Sequence, residues 1–432
     1  MPISIIRAFL TTLLIILPVT SFAADLYVRD GGTGNCSDWT NACDQLTTAE
    51  AAASRGDTIY VADGSYGGIT FDVAESGTSI VTIKKATVAA HGTDTGWQDA
   101  YGDGQATIGL ITINTGYLTI DGVTRNATNW KDSTSYGFVL NGGVSDSNAV
   151  YTGNTENPSN VTVAYCYIPG AGTSTLGNRL IYAVYWGAGT HIHHNLLSQA
   201  GQNHIRFGAT SNVTVEYNYF DTNYSEADAH GESIQTTSGA DNGVVRYNYF
   251  ENTAGTGCIV LNSVQDWKIY GNVFLDIASA SNGIIGVTSG ETADNVLVYN
   301  NTFADSPTTF GCVAGGTCTN WDFQNNIIVG ATTGPTFSDG FTVNSYNASD
   351  SSSFGTNFQT ISTGVFVGYS ENNFRLSSAT TAGATLTGYA ADLLGNTRGA
   401  DGTWDRGAYE FGVTGESVNQ TSTPSSIAGS WK

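Results

Sequence analysis

A short phrase recurs down the middle of this chain, and its spacing constrains the fold more than any other feature. Aligned on a small polar residue before the final apolar pair, the copies read VTVAYCYI, HIHHNLL, VTVEYNYF, VVRYNYF, KIYGNVF, VLVYNNTF and WDFQNNII. The aligned residues are Cys166, Asn195, Asn218, Asn248, Asn272, Asn301 and Asn326, separated by 29, 23, 30, 24, 29 and 25 positions. A repeat of this length is one supersecondary unit that cannot bury its apolar side alone, and stacking neighbours solves the problem. The spacing fits one coil of a parallel β-helix, with strands of successive coils about 4.8 Å apart. Two columns should point inward. One is Val163, Ile192, Val215, Val245, Ile269, Val298 and Phe323; the other is Ile168, Leu197, Phe220, Phe250, Phe274, Phe303 and Ile328. The Asn column should stack as an amide ladder at a turn. Each coil has room for a second strand, such as His204 to Phe207, Ile259 to Leu261 or Ile284 to Val287, so two or three sheets fit.

Composition supports an all-β chain. There are 53 Gly and 22 Tyr against 7 Pro and 1 Met, and only 12% of residues are charged, which leaves little for long solvated helices. The formal charge of −22 argues against nucleic-acid binding, which needs basic footprints. Residues 1–24 read as a secretory signal peptide: Arg7, an apolar run from Ala8 to Leu17, then Ser21-Phe22-Ala23-Ala24. No later stretch is long and apolar enough to insert in a membrane. Export permits disulfides, and Cys36 with Cys43 and Cys312 with Cys318 each flank a short loop. Cys166 and Cys258 fall inside repeat strands and read as buried thiols. The best short helix runs from Leu46 to Ala53, with Thr47 or Thr48 as its cap. The tail 412–432 is rich in Ser, Thr and Gly and reads as a flexible linker.

Residues 25–64 end in GDTIYVADG, and residues 392–411 read DLLGNTRGADGTWDRGAYEF. With the repeats between, they resemble the pectate-lyase-like superfamily of right-handed parallel β-helices. The resemblance implies a single solenoid over 25–411, opened by a capping helix and a first coil over 25–64. It also implies closure by a last strand and a cap with an Arg–Asp contact, built on Asp392, Gly395, Arg398, Asp405, Gly407, Ala408, Tyr409 and Glu410. An exported monomer acting on polysaccharide follows as an expectation. Lysine is scarce (Lys84, Lys85, Lys131, Lys268 and Lys432), which disfavours a lysine base.

The densest ionisable chemistry lies on the repeat. Five of the six histidines fall between His191 and His230. Two residues before the aligned position runs an outward column of Ala164, His193, Glu216, Arg246, Tyr270, Tyr299 and Gln324. His191 shares that face, with Thr214 and Lys268 in its own column, because i and i+2 point the same way on a strand. For β-elimination on a uronate glycan, His193 or His191 would be the base and Arg246 or Arg206 the neutraliser of the carboxylate. Tyr270 or water would be the acid. Glu216, Lys268, Tyr270 and Tyr299 would bind substrate. His204 and Arg206 form a second outward pair beside Ile205 and Phe207. Glu226, Asp228, His230 and Glu232 on an interrupting loop offer oxygen ligands for Ca²⁺. His191-x-His193 with Glu216 also has the pattern of a zinc set. The alternatives are a glycoside hydrolase using a pair among Asp221, Asp228 and Glu232, and a non-catalytic surface or adhesion protein whose His/Arg row is an ion ladder.

Overall fold

The computed structural model describes residues 23–412 except 143–147, 153–155, 174–176, 225–230, 279–280, 313 and 332–333. The signal-peptide reading, most of the tail, and the loop carrying Glu226, Asp228 and His230 therefore lie outside the described residues.

The amide ladder forms at one corner of the coil. Asn195, Asn218, Asn248, Asn272, Asn301 and Asn326 are buried, and each Nδ2 donates to the next Oδ1 at 3.0–3.2 Å. Asn347 extends the series by one coil, and Cys166 begins it by donating its backbone N–H to Asn195 Oδ1 at 2.9 Å. Each Oδ1 also accepts the backbone N–H of the preceding ladder residue, so a tight turn buries no orphaned amide.

Strands on either side of this corner build a right-handed parallel β-helix. Among the described residues the first sheet, before the ladder, holds 13 strands, the second, after it, 12, and a third 10. In the first sheet Val161–Ala164, His191–His193, Thr214–Glu216, Val244–Arg246, Val264–Tyr270, Thr292–Tyr299 and Trp321–Gln324 lie side by side. Their register pairs Val163, Ile192, Val215, Val245, Ile269, Val298 and Phe323 in one buried column, as the repeat requires. In the second sheet Phe220, Phe250, Phe274 and Phe303 stack with ring centroids 4.5, 4.8 and 4.7 Å apart. Each such ring contributes roughly 1.5–3 kcal/mol by leaving water. The helix α1 (Leu46–Ala52) sits near the first strands and buries Leu46 and Ala49. Its N-cap is Gln45, without a side-chain hydrogen bond, so neither Thr47 nor Thr48 caps it; both lie inside the first turn. Cys36–Cys43 and Cys312–Cys318 are disulfides, and Cys166 and Cys258 are buried thiols.

The segment 392–411 departs from expectation. It forms no strand, and its buried Arg398 pairs with Glu410 at 3.4 Å rather than with an aspartate. It folds back along the outside of earlier coils. Ala408 N–H donates to Thr302 Oγ1, Gly407 N–H to Asn325 carbonyl, and Tyr409 meets Tyr249 hydroxyl to hydroxyl.

Candidate functional site

The outward column of the first sheet is in register: Ala164, His193, Glu216, Arg246, Tyr270, Tyr299 and Gln324 oppose one another in turn. His191 Nε2 lies 2.9 Å from Glu216 Oε1, Arg246 Nε donates to Glu216 Oε2 at 2.5 Å, and Arg246 Nη1 donates to the Tyr270 hydroxyl at 2.9 Å. One carboxylate thus holds an imidazole and a guanidinium in fixed positions. Burial alone would raise Glu216, but the bonds from His191 and Arg246 outweigh it and hold its carboxyl at about 2. It is ionised throughout the neutral range, with both oxygens engaged, so it positions its neighbours rather than donating a proton.

His193 stands beside this chain, its ring 4.2 Å from that of His191 and its Nδ1 2.9 Å from Nδ1 of His194. Burial, then the charge of His191, then Arg125 push His193 down to about 4 despite Glu216. Burial and Arg125 push His194 to about 3. Both rings are neutral at pH 7. The side chains of His191 and Arg246 keep 36% and 35% of their exposure, so solvent reaches the face.

A corner column escaped the sequence analysis. Tyr165, His194, Tyr217 and Tyr247 stand directly before the ladder positions with positive φ of 54–58°. Their rings follow one another at 4.7, 5.1 and 5.1 Å. The alignment held the signal, since three of the four are Tyr before the aligned residue. The next coil places Gly271 there (φ 66°), and a Cβ on it would come within 2.7 Å of the Tyr247 ring. Over this corner lies the segment 122–136. Arg125 Nη1 donates to the Tyr217 carbonyl at 2.5 Å and its guanidinium stacks 3.9 Å from the Trp130 ring, which meets Tyr217 and Tyr249 edge-on. Lys131 reaches Glu251 at 2.8 Å and Asp221 at 3.5 Å.

Other expected site residues lie elsewhere. His204 does not face solvent. It precedes the strand Ile205–Phe207 at a coil corner and is fully buried, with Nε2 3.3 Å from the Asp221 carbonyl. Burial pushes it to about 4. Arg206 faces outward on the third sheet, away from His193. Tyr270 and Tyr299 are only 6% exposed, because Tyr389 packs edge-on against both at 4.8 and 5.2 Å. They cannot be open stacking platforms for sugars. Lys268 is exposed in a depression of about 220 Å³ shared with Asp266, Val244 and Leu297.

Of the expected calcium set only Glu232 lies among the described residues. Glu232 is fully buried and accepts from Asn203 Nδ2 at 2.9 Å and Thr256 Oγ1 at 2.6 Å, so it offers no ligand to a surface calcium ion. Glu216 is committed to His191 and Arg246, which disfavours a zinc set there. Among the described residues no group of three or more His, Cys, Asp or Glu is placed to hold a metal. Asp221 and Glu232 do not form an open acid pair, since Glu232 is inside and Asp221 lies by Lys131.

The sequence matches no protein-family model and no curated protein. Solved structures do match. Pectate lyase Pel9A superposes with a TM-score of 0.54 at 13% identity, over 90% of this chain and 97% of that one. The fold shared with it is a right-handed parallel β-helix. The PL6 family alginate lyase AlyGC gives a TM-score of 0.41 at 16% identity, over 78% of this chain and 53% of that one. XylC in complex with xylose gives 0.43 at 10% identity, over 71% and 69%. This parallel β-helix carries its histidine face on the first sheet, and among its described residues no helix is long and apolar enough to cross a membrane.

Proposed function

We propose that the protein is an exported polysaccharide lyase that cleaves a uronate-containing glycan by β-elimination on the His191–His193–Arg246 face. The observation that carries this reading is a neutral His193 on one side of Glu216 and, on the other, an Arg246 locked by that carboxylate, on an exposed face of a protein of charge −22. Two disulfides suit an oxidising compartment.

In the proposed reaction Arg246 pairs with the substrate's C6 carboxylate, which disperses charge as the C5 carbanion develops. His193 removes the C5 proton. The C5–H electron pair forms the C4–C5 double bond as the C4–O bond breaks. Water protonates the leaving oxygen, because Tyr389 covers Tyr270. Glu216 keeps His191 and Arg246 oriented and stays ionised throughout.

The test is incubation with a panel of uronate and neutral polysaccharides, following absorbance near 235 nm for unsaturated ends and, in parallel, reducing sugar. Absorbance on an acidic glycan, lost in His193→Ala and Arg246→Ala, supports the reading. Reducing sugar without absorbance would replace it with hydrolysis. Binding without cleavage would make the protein a lectin-like surface module.

A further inference from the structure

The face that bears His193 and Arg246 is closed on two sides, and the two walls come from distant parts of the chain. Along the solenoid axis the row continues from Arg246 to Tyr270 and Tyr299. There Tyr389 stands on both rings, and the Tyr247 hydroxyl donates to the Ala391 carbonyl at 3.2 Å. The wall is anchored beyond these contacts: the Asn325 side chain bonds the Ala384 carbonyl at 2.8 Å and Arg398 is buried at 4% exposure. One coil advances about 4.8 Å, close to the length of one sugar residue. Along the strand direction, the corner is closed by Arg125 and Trp130, fixed to Tyr217.

A polysaccharide approaching along the axis therefore meets Tyr389 about one residue past Arg246. One running parallel to the strands towards the ladder corner meets Arg125 and Trp130. Neither path lets a long chain pass through the site with many sugars on both sides. We infer that the protein acts on chain ends: it removes short terminal units from its glycan, and Tyr389 is the residue that limits how far the chain extends past the reacting bond. The inference rests on the lyase reading for its chemistry, but the walls are independent of which bond is cut. Tyr389 is a specificity-determining residue here, since it contacts Tyr270 and Tyr299 rather than the reacting groups.

The experiment uses the full chain and the same glycan panel, with products sized by chromatography from the first minutes and solution viscosity followed alongside. A single short product from the start, with viscosity falling slowly, is the expected result. A ladder of intermediate oligomers with an early collapse of viscosity overturns the inference, whatever the absorbance shows. If the products are saturated, the lyase reading fails while their size still decides chain-end action. No cleavage of any glycan overturns both. Tyr389→Ala shortens the wall without touching His193 or Arg246, and it should shift the products from one short species towards mixed lengths. Should that variant misfold by circular dichroism, the wild-type product sizes decide alone. An unchanged single product from a folded Tyr389→Ala removes Tyr389 from the role of wall.

Discussion

His204 offers a measurement that separates a structural histidine from a catalytic one. Its ring is fully buried against Phe220, at a centroid distance of 5.6 Å, with Nδ1 unpartnered. Burial lowers it from 6.5 in the free side chain to about 4 in the folded protein. The folded state resists the proton, so the unfolded chain takes it up first as pH falls. The stability tied to this group is complete above pH 6.5 and is lost as pH falls from 6.5 to about 4. That difference corresponds to about 3 kcal/mol, lost at roughly 1.4 kcal/mol per pH unit. His204→Leu keeps the apolar volume and removes the titration. Urea unfolding at pH 7.5, 6, 5 and 4, read by far-ultraviolet circular dichroism, should show wild type losing stability relative to the variant across that window. His193 and His194, lowered for the same reason, add a slope common to both proteins that cancels in the difference. Parallel pH profiles in wild type and variant would refute the burial argument. Retention of glycan cleavage by the variant completes the assignment.

The ladder predicts a gradient of its own. Asn248→Ala removes an Oδ1 that accepts from both Asn218 N and Asn218 Nδ2, whereas Asn195 Oδ1 accepts only the Cys166 N–H. Asn248→Ala should therefore cost about 1 kcal/mol more than Asn195→Ala in urea unfolding; equal costs would count against the ladder as the source. Arg246→Ala should lower kcat/KM by about 10²–10³, with Arg246→Lys recovering only part, while a loss confined to KM would mean simple binding. Glu216→Gln removes the carboxylate that holds His191 and Arg246, so kcat/KM should fall with the circular dichroism unchanged, and full activity would remove Glu216 from its positioning role. Lys131→Met should loosen the segment 122–136 and raise protease cleavage within it; an unchanged digest would show that Arg125 and Trp130 hold it alone.

The solenoid was legible because stacking forces equivalent positions into register. Once Asn195, Asn218 and Asn248 were aligned, Val215 had to oppose Val245 and Glu216 had to oppose Arg246. Period alone carries that information. It carries none about what lies on the outside. Tyr270 and Tyr299 read as open platforms because the residue covering them, Tyr389, belongs to a segment with no repeat. His204 read as outward because the two-residue alternation was extended one position beyond Ile205, where the chain is already turning. Arg125 and Trp130 act on coils far from their own, through a segment whose composition only says that it is a loop. The closing motif was visible, but its partner choice was not: Arg398 selects Glu410 because the backbone around Gly407 folds inward over Thr302.

The contacts of Lys131 with Glu251 and of Tyr409 with Tyr249 bear on how this rod comes apart. In a stack where each coil touches only its neighbours, opening starts at an end and peels inward, and amide hydrogens exchange with a smooth gradient of protection. A tie between non-adjacent coils removes that freedom, since no coil between the tied points can leave while both anchors hold. The strands from Val161–Ala164 to Val244–Arg246 are spanned by one tie, and those from Tyr249–Thr253 onward by the other. The molecule is thereby divided into blocks that exchange together, with the histidine face inside the first block rather than at a fraying edge.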